Sequence, residues 1–120
     1  MESANYPRRG QIYLLSFKDS QGRAMRESHP ALVVQNNTAN RYSGVILVVP
    51  LTSNLKVADL PVGVLMEPPE GGVKKSSAIH CGQIHTINRN EFTPGILLGQ
   101  VSPLTIQKVD KALKISLGLL

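Results

Sequence analysis

Two dense apolar runs, Ala31–Val34 and Val45–Leu51, dominate the hydrophobic pattern of the chain, and a polar connector joins them. Their apolar residues are continuous rather than alternating, which predicts strands buried on both faces. Polar residues flank the pair, with His29 before the first run and Thr52 and Ser53 after the second. If the two strands are antiparallel neighbours, a hairpin brings these flanks together. The pattern therefore predicts a small polar site at the open end of a buried hairpin.

The rest of the pattern predicts further short strands separated by turns. The predicted strands are Ile12–Phe17, Ala31–Gln35, Gly44–Leu51, Leu60–Met66, Ala78–Ile87 with an interruption at Gly82, and Gly95–Val101. Polar or Gly/Pro-rich connections are predicted for residues 18–29, Asn36–Ser43, Asn54–Asp59 and Glu67–Gly72.

The pattern of the C-terminal segment, from Ser102 to Gly118, predicts a helix. Ser102 is a suitable N-cap and Pro103 suits the first helical position. One apolar face is formed by residues three and four apart, namely Ile106, Val109, Leu113 and Leu117. Gly118 suits the C-terminal stop. Short strands closed by one helix predict a mainly β (α+β) fold, a small half-open barrel.

The length of 120 residues favours a single domain over residues 9–120, preceded by a flexible leader at residues 1–8. The single cysteine, Cys81, excludes an internal disulfide framework and fits a reducing compartment. Met1–Gly10 lacks the apolar segment of a signal peptide. The longest apolar run, Val45–Leu51, is far shorter than a membrane span. We therefore expect a cytoplasmic protein with no membrane partner.

The net charge of +5, from 13 Lys and Arg against 8 Asp and Glu, favours an anionic partner such as nucleic acid. The same modest charge also serves solubility. The charge alone therefore leaves both interpretations open.

The candidate chemistry lies at the hairpin end. His29 can exchange protons near neutral pH, or it can be a strand-end histidine with no task, which its position alone favours. The hydroxyls of Thr52 and Ser53 can hold a phosphate, but hydroxyl residues also form ordinary turns.

A second group lies near Cys81. On a continuous strand, Cys81, Gln83 and His85 share one face and His80 points to the other. Three ligands from this segment then do not converge, so no metal site is expected. Gln83 can read a base edge, or it can be an ordinary half-exposed strand residue.

Five segments, in this order, resemble motifs of the MazF/PemK family of toxin endoribonucleases. They are Arg9–Tyr13 (RGQIY), Pro30–Gln35 (PALVVQ), Val49–Ser53 (VPLTS), Gln83–Ile87 (QIHTI) and Lys111–Leu119 (KALKISLGL). Each motif alone is unspecific, but five in order at the right spacing are specific, and they cover nearly the whole chain.

The resemblance implies a CcdB/PemK SH3-like half-open barrel with a C-terminal helix, paired as a homodimer. It implies cleavage of single-stranded RNA at a short sequence without a metal or other cofactor. The 2′-hydroxyl attacks the adjacent phosphate and leaves a 2′,3′-cyclic phosphate and a 5′-hydroxyl. It also implies a cognate antitoxin whose acidic tail covers the RNA groove.

The sequence departs from the family pattern at three places. His29 stands where the family has arginine before the proline, and Arg23-Ala24 follow Gly22 where the family loop usually has an acidic residue. His85 stands where arginine is frequent. The family threonine and glutamine are retained as Thr52 and Gln83.

Three functions follow, and we rank an active nuclease first. In it, His29 serves as acid or base, while Thr52 and nearby N–H groups stabilise the phosphorane charge. Arg23 or Arg26 supplies a cation from the loop. The residues expected to bind RNA are Arg23, Arg26, Ser53, Gln83 and His85. The alternatives are a degenerate member that binds RNA or antitoxin without cutting, and a CcdB-like topoisomerase poison.

Overall fold

The computed structural model describes residues 5–18 and 24–120. The strands are β1 (Gln11–Lys18), β2 (Ala24–Val33), β3 (Val45–Thr52), β4 (Gly63–Met66), β5 (Ser77–His80), β6 (His85–Asn88) and β7 (Leu97–Gln100). The α-helices are α1 (Asn37–Tyr42) and α2 (Pro103–Ser116). Short 3₁₀ helices span Leu55–Asp59, Glu70–Gly72, Arg89–Glu91 and Pro94–Ile96.

One antiparallel sheet runs in the order β4-β5-β3-β2-β1-β7 and is not closed. The central strand, β3, has β2 along one edge. Along its other edge it pairs first with β6, over Val45–Val48, and then with β5, at Leu51 and Thr52. The turn that joins β5 to β6 therefore lies beside the point where β3 changes partner. The predicted mainly β, half-open architecture with a C-terminal helix is confirmed.

The core has two parts on opposite faces of the central strands. Val49 belongs to the part covered by α2, and its neighbour Val48 belongs to the other part. In β2, Leu32 and Val33 divide in the same way, and all four side chains are completely buried. Because both faces are covered, the apolar runs are continuous, as predicted.

Helix α2 forms as predicted and packs on the first part of the core. The Ser102 hydroxyl accepts a hydrogen bond from the Thr105 backbone N–H at 3.2 Å, and Pro103 begins the helix. Gly118, at φ +72°, allows the Leu119 N–H to bond the Lys114 carbonyl at 2.7 Å, which satisfies the last turn. Ile106, Val109 and Leu113 pack inward as predicted, whereas Leu117 lies at the cap and is exposed.

Two predicted connections are wrong because polar composition concealed regular structure. Asn36–Ser43 contains helix α1, whose N-cap Asn36 accepts from the Ala39 N–H at 2.8 Å. Its inward residue is the fully buried Asn40, whose amide donates to the Gln35 carbonyl at 2.8 Å. Because the side chain that this helix buries is an amide, the sequence shows no apolar residues at helical spacing here.

The second error concerns residues 18–29. Strand β2 begins at Ala24 rather than Ala31, and its polar half pairs with β1, as in Ser28 opposite Ser16. Strand β4 begins at Gly63, later than the predicted Leu60. The predicted interruption at Gly82 is confirmed, since it separates β5 from β6.

Replacing Glu70 with glutamine is expected to destabilise the docking of α2. Glu70 Oε2 accepts from the Ser102 N–H at 2.9 Å and from the Thr105 hydroxyl at 2.6 Å. Burial raises the pKa of Glu70, but these hydrogen bonds and the charge of Lys108 outweigh it, so the pKa is lowered. The stabilisation that the Glu70 carboxylate gives to the fold is therefore present above pH 4.5, the ordinary pKa of the group. It is lost as the pH falls through the lower pKa of the folded state.

We expect a loss of about 1 kcal/mol at pH 7, as for a hydrogen bond to a charged group on a partly exposed site. Urea unfolding at pH 7 and pH 3 checks this, with exposed Glu91→Gln as the control. A loss of the same size at both pH values would instead indicate a packing effect.

Candidate functional site

A cleft of about 780 Å³ opens where β3 changes partner. Three groups of residues line it, from the ends of β1 and β2, from the end of β3 and the turn after it, and from the segment around β5 and β6. These lining residues are Phe17, Ser28–Pro30, Pro50–Asn54, Val57, Lys75, Ser77, His80, Gln83 and His85. The cleft therefore draws on sequence positions that are far apart.

The hairpin of β2 and β3 places His29 and Thr52 at the same end of the fold. The two strands are antiparallel, with Ala31 opposite Pro50. His29 lies two residues before Ala31, and Thr52 lies two residues after Pro50. Both line the cleft, so the predicted polar site at the open end of the hairpin exists.

The Thr52 side chain is fixed by the turn that follows β3. Its Oγ1 accepts the Asn54 backbone N–H at 3.1 Å. An oxygen that accepts in this way keeps its own O–H for donation. Thr52 is half-buried and Ser53 is exposed, so hydroxyls are presented at two depths of the cleft.

The chain has 3 histidines, and all of them, His29, His80 and His85, line this cleft. The buried ring of Phe17 lies close to two of them. Its centroid is 6.4 Å from that of His29 and 4.7 Å from that of His85. Phe17 therefore packs against both imidazoles and restricts their orientation.

Lowering the pH from 7 to 5.5 is expected to destabilise the fold through His85. Burial lowers the pKa of His85 below its ordinary value of 6.5. The unfolded chain then takes up a proton at a higher pH than the folded chain does, so stability falls as the pH falls through this interval. Urea unfolding of the wild type and of His85→Gln at both pH values checks this. The variant is expected to lose less stability, and an equal loss in both proteins would contradict it.

The predicted placement of His80 on the opposite face is wrong. Strand β5 ends at His80, and the turn at Cys81 and Gly82 resets the alternation before β6 begins. His80 consequently lines the cleft with Gln83 and His85. Cys81 points into the core instead, where burial raises the pKa of its thiol to about 12.

No group of three or more His, Cys, Asp or Glu side chains within residues 5–18 and 24–120 is placed to hold a metal ion.

Sequence reasoning missed several of the residues that line the cleft. One of them, Lys75, carries a charge. Among the Lys and Arg side chains that the structure describes, which leaves out those of Lys18 and Arg26, it is the only one that lines the cleft. Its carbonyl accepts from the Ser77 hydroxyl at 3.0 Å, which fixes the segment that enters β5. The pair Lys74-Lys75 before a strand was the available signal, but only the fold shows which lysine faces the cleft.

Two predicted RNA-binding residues are not placed. Arg23 lies outside the described residues, and the side chain of Arg26, on β2, does so as well. Ser53, Gln83 and His85 all line the cleft. Their binding roles stay predictions.

A family model described as "PemK-like, MazF-like toxin of type II toxin-antitoxin system" matches residues 8–117. The chain belongs to this family. The match covers all five motifs except the end of the last one, so the family predicted from those motifs is confirmed.

Named relatives agree with this membership. An Endoribonuclease MazF from Staphylococcus saprophyticus is 32% identical over 112 residues, which are 93% of this chain and 92% of the relative. A mycobacterial endoribonuclease structure is 30% identical, with a TM-score of 0.74 over 96% of this chain and 94% of that one. These relatives support the prediction of an endoribonuclease.

A mycobacterial endoribonuclease in complex with its cognate antitoxin is also 30% identical to this MazF-like chain. Its TM-score is 0.77 over 95% of this chain and 97% of that one.

In the described part of the chain, no helix is long and apolar enough to span a membrane.

Proposed function

We propose that this MazF-like toxin cleaves single-stranded RNA in the cleft by attack of the 2′-hydroxyl on the adjacent phosphate, without a metal cofactor. The observation that carries the proposal is the meeting of His29 and Thr52 at the end of the β2–β3 hairpin, in a cleft that Lys75 also lines. An imidazole, a hydroxyl and an ammonium group together supply proton transfer and charge stabilisation for this reaction.

His29 moves the proton in this mechanism. Its imidazole accepts the 2′-hydroxyl proton while the bond between O2′ and phosphorus forms. The bond between phosphorus and O5′ then breaks, and the 5′-oxygen takes a proton from water. The hydroxide that remains takes the proton from the His29 imidazolium, which restores the neutral base. The products are a 2′,3′-cyclic phosphate and a 5′-hydroxyl, so the atoms balance without hydrolysis.

Thr52 and Lys75 act on the phosphate. The Thr52 O–H, free to donate because Oγ1 already accepts from Asn54, points to a non-bridging oxygen. The Lys75 ammonium offsets the charge that develops on the phosphorane.

Exposed polar side chains along the rim bind the bases. Gln83 and Ser53 are exposed, and both line the cleft. His85, whose pKa is lowered by burial, stays neutral near pH 7 and offers one donor and one acceptor. Arg23 and Arg26 add cations. Splayed bases of a single strand expose the edges that such side chains read.

The proposed partners are a cognate antitoxin and a second copy of the chain, both in the cytoplasm. A relative binds its cognate antitoxin, and the net charge of +5 suits an acidic antitoxin segment over the cleft. A second, apolar cavity lined by Leu14, Val73 and Leu98 supports a homodimer. Sedimentation velocity of the toxin alone and with its antitoxin measures both assemblies.

Incubation of the purified toxin with a long unstructured RNA in EDTA tests the activity. We expect cleavage that persists in EDTA, with 5′ ends that polynucleotide kinase labels directly and 3′ ends that resist phosphatase until acid opens the cyclic phosphate.

Retained RNA or antitoxin binding without cleavage would indicate a degenerate member. Growth arrest with intact RNA and damaged DNA would indicate a topoisomerase poison.

A further inference from the structure

We propose that His80 is a hydrogen-bond donor to the substrate phosphate through its Nε2–H. The proposal rests on the RNA cleavage proposed above and adds a residue to the same site. His80 lines the cleft together with Thr52 and Lys75.

The first observation is a hydrogen bond that fixes the His80 ring. The Gly82 backbone N–H donates to His80 Nδ1 at 3.1 Å. An imidazole nitrogen that accepts carries no proton, so the neutral ring has its proton on Nε2. In this state His80 has no second lone pair with which to act as a base. What it can offer a ligand is the Nε2–H.

The second observation is that the His80 imidazole occupies the space that a side chain at Gly82 would need. A Cβ on Gly82 would lie 2.8 Å from His80 Cε1, 3.2 Å from His80 Nδ1 and 3.2 Å from Val62 Cγ2. Gly82 is not among the glycines with positive φ, so its backbone does not require glycine. The close approach of the imidazole is what a side chain at this position would prevent.

The third observation is that the turn is held by bonds and burial on both sides of Gly82. The Cys81 N–H donates to the Val62 carbonyl at 2.8 Å, and the Cys81 side chain is completely buried. The Gln83 N–H donates to the His80 carbonyl at 3.3 Å. The turn therefore presents an oriented donor, and an oriented donor stabilises developing charge without reorganisation.

Strand pairing places this donor near the proposed reacting phosphate. β5 pairs with β3 through Leu51 opposite Ile79 and Thr52 opposite Ala78. His80 lies two residues after Ala78, so on the alternating strand it shares the face of Ala78 and Thr52. The phosphate in the cleft would then receive hydrogen bonds from Thr52 on β3 and from His80 on β5. Neutral donors of this kind act on a phosphoryl oxygen as they do on other oxyanions.

Three substitutions separate a donor from the other roles of a histidine. His80→Asn keeps an acceptor near the position of Nδ1 and removes the distal donor. His80→Gln places an N–H near the position of Nε2. His80→Ala removes both. We expect kcat for RNA cleavage to fall about 100-fold in the alanine and asparagine variants, with KM little changed, and to recover to at least about a tenth of the wild-type value in the glutamine variant.

Each other pattern overturns the proposal. A loss in the glutamine variant equal to that of alanine would mean that His80 transfers a proton. Full activity in the asparagine variant would mean that only the bond to Gly82 matters. Thermal melting of all three variants identifies any loss of activity that comes from unfolding.

A second measurement does not depend on activity. Long-range ¹H–¹⁵N NMR of the wild type at pH 7.5 is expected to show the Nε2–H tautomer for His80, and an Nδ1–H tautomer would overturn the proposal. If the wild type does not cleave RNA at all, the proposed function fails. If it cleaves and the His80 variants cleave equally well, only this inference fails.

Discussion

Thr52→Val is expected to lower kcat for RNA cleavage by about 10²–10³-fold, the usual effect of removing one oriented donor from a developing oxyanion. Valine has the shape of threonine but lacks the hydroxyl. The Thr52 Oγ1 accepts the Asn54 N–H at 3.1 Å, so the position of the oxygen is set by the turn before RNA binds. Thr52→Ser keeps both the acceptor and the O–H, and we expect it to retain most of the activity.

The matched control is Thr86→Val. Thr86 lies exposed on β6, opposite Leu47, and it does not line the cleft. The Thr86→Val substitution makes the same chemical change on a neighbouring strand, so we expect an unchanged rate of RNA cleavage. Single-turnover cleavage of a fluorogenic RNA in EDTA measures all three variants. Full activity in Thr52→Val would remove Thr52 from the mechanism.

The same assay addresses His29, whose replacement by alanine is expected to cost about 10²–10⁴-fold, as for a general acid or base. His29 packs on Phe17 and is half-buried, so thermal melting of the variant is measured beside its activity to identify any loss that comes from unfolding. If His29→Ala cleaves normally, then the proton is moved by another group. His85 would be the next candidate, since its ring lies on the same Phe17 side chain.

The central hairpin could be predicted because one physical signal dominates there. Val48 and Val49 are both buried, on opposite faces, and only a strand covered on both sides gives such a run. Antiparallel pairing then brings His29 towards Thr52 with no further information. Helix α2 was predictable for a similar reason, because Ser102 and Gly118 mark its ends by local backbone chemistry.

His80 and Lys75 could not be placed in this way. Alternation assigns faces only along an unbroken strand, and one turn at Cys81 and Gly82 reverses the assignment for every residue on one side of it. Counting faces across the interruption at Gly82 therefore assigns His80 to the wrong face. Lys75 precedes β5, where no period applies.

Helix α1 could not be predicted, because the residue that it buries is polar. Its buried residue is Asn40, whose amide is satisfied by Gln35, and a hydrogen bond between two polar side chains leaves no hydrophobic trace in the sequence.

Lys75→Ala is expected to weaken RNA binding about tenfold, whereas Lys74→Ala changes it by less than about twofold. The two lysines are neighbours, both are exposed, and each substitution lowers the net charge by one. The electrostatic effect of the net charge of the protein is therefore the same in both variants. Both lysines line the second, apolar cavity, and of the two only Lys75 also lines the cleft.

The salt dependence separates a direct phosphate contact from that general field. A lysine that neutralises one phosphate of a single strand contributes a slope of about −0.7 to the plot of log K against log salt. We expect Lys75→Ala to remove about that much and Lys74→Ala to leave the slope unchanged. Fluorescence anisotropy with a 2′-O-methyl RNA, which cannot be cleaved, measures both slopes. Equal slopes in the two variants would mean that Lys75 acts only through the net charge, and the phosphate would then have to be held by Thr52 and by Arg23 or Arg26.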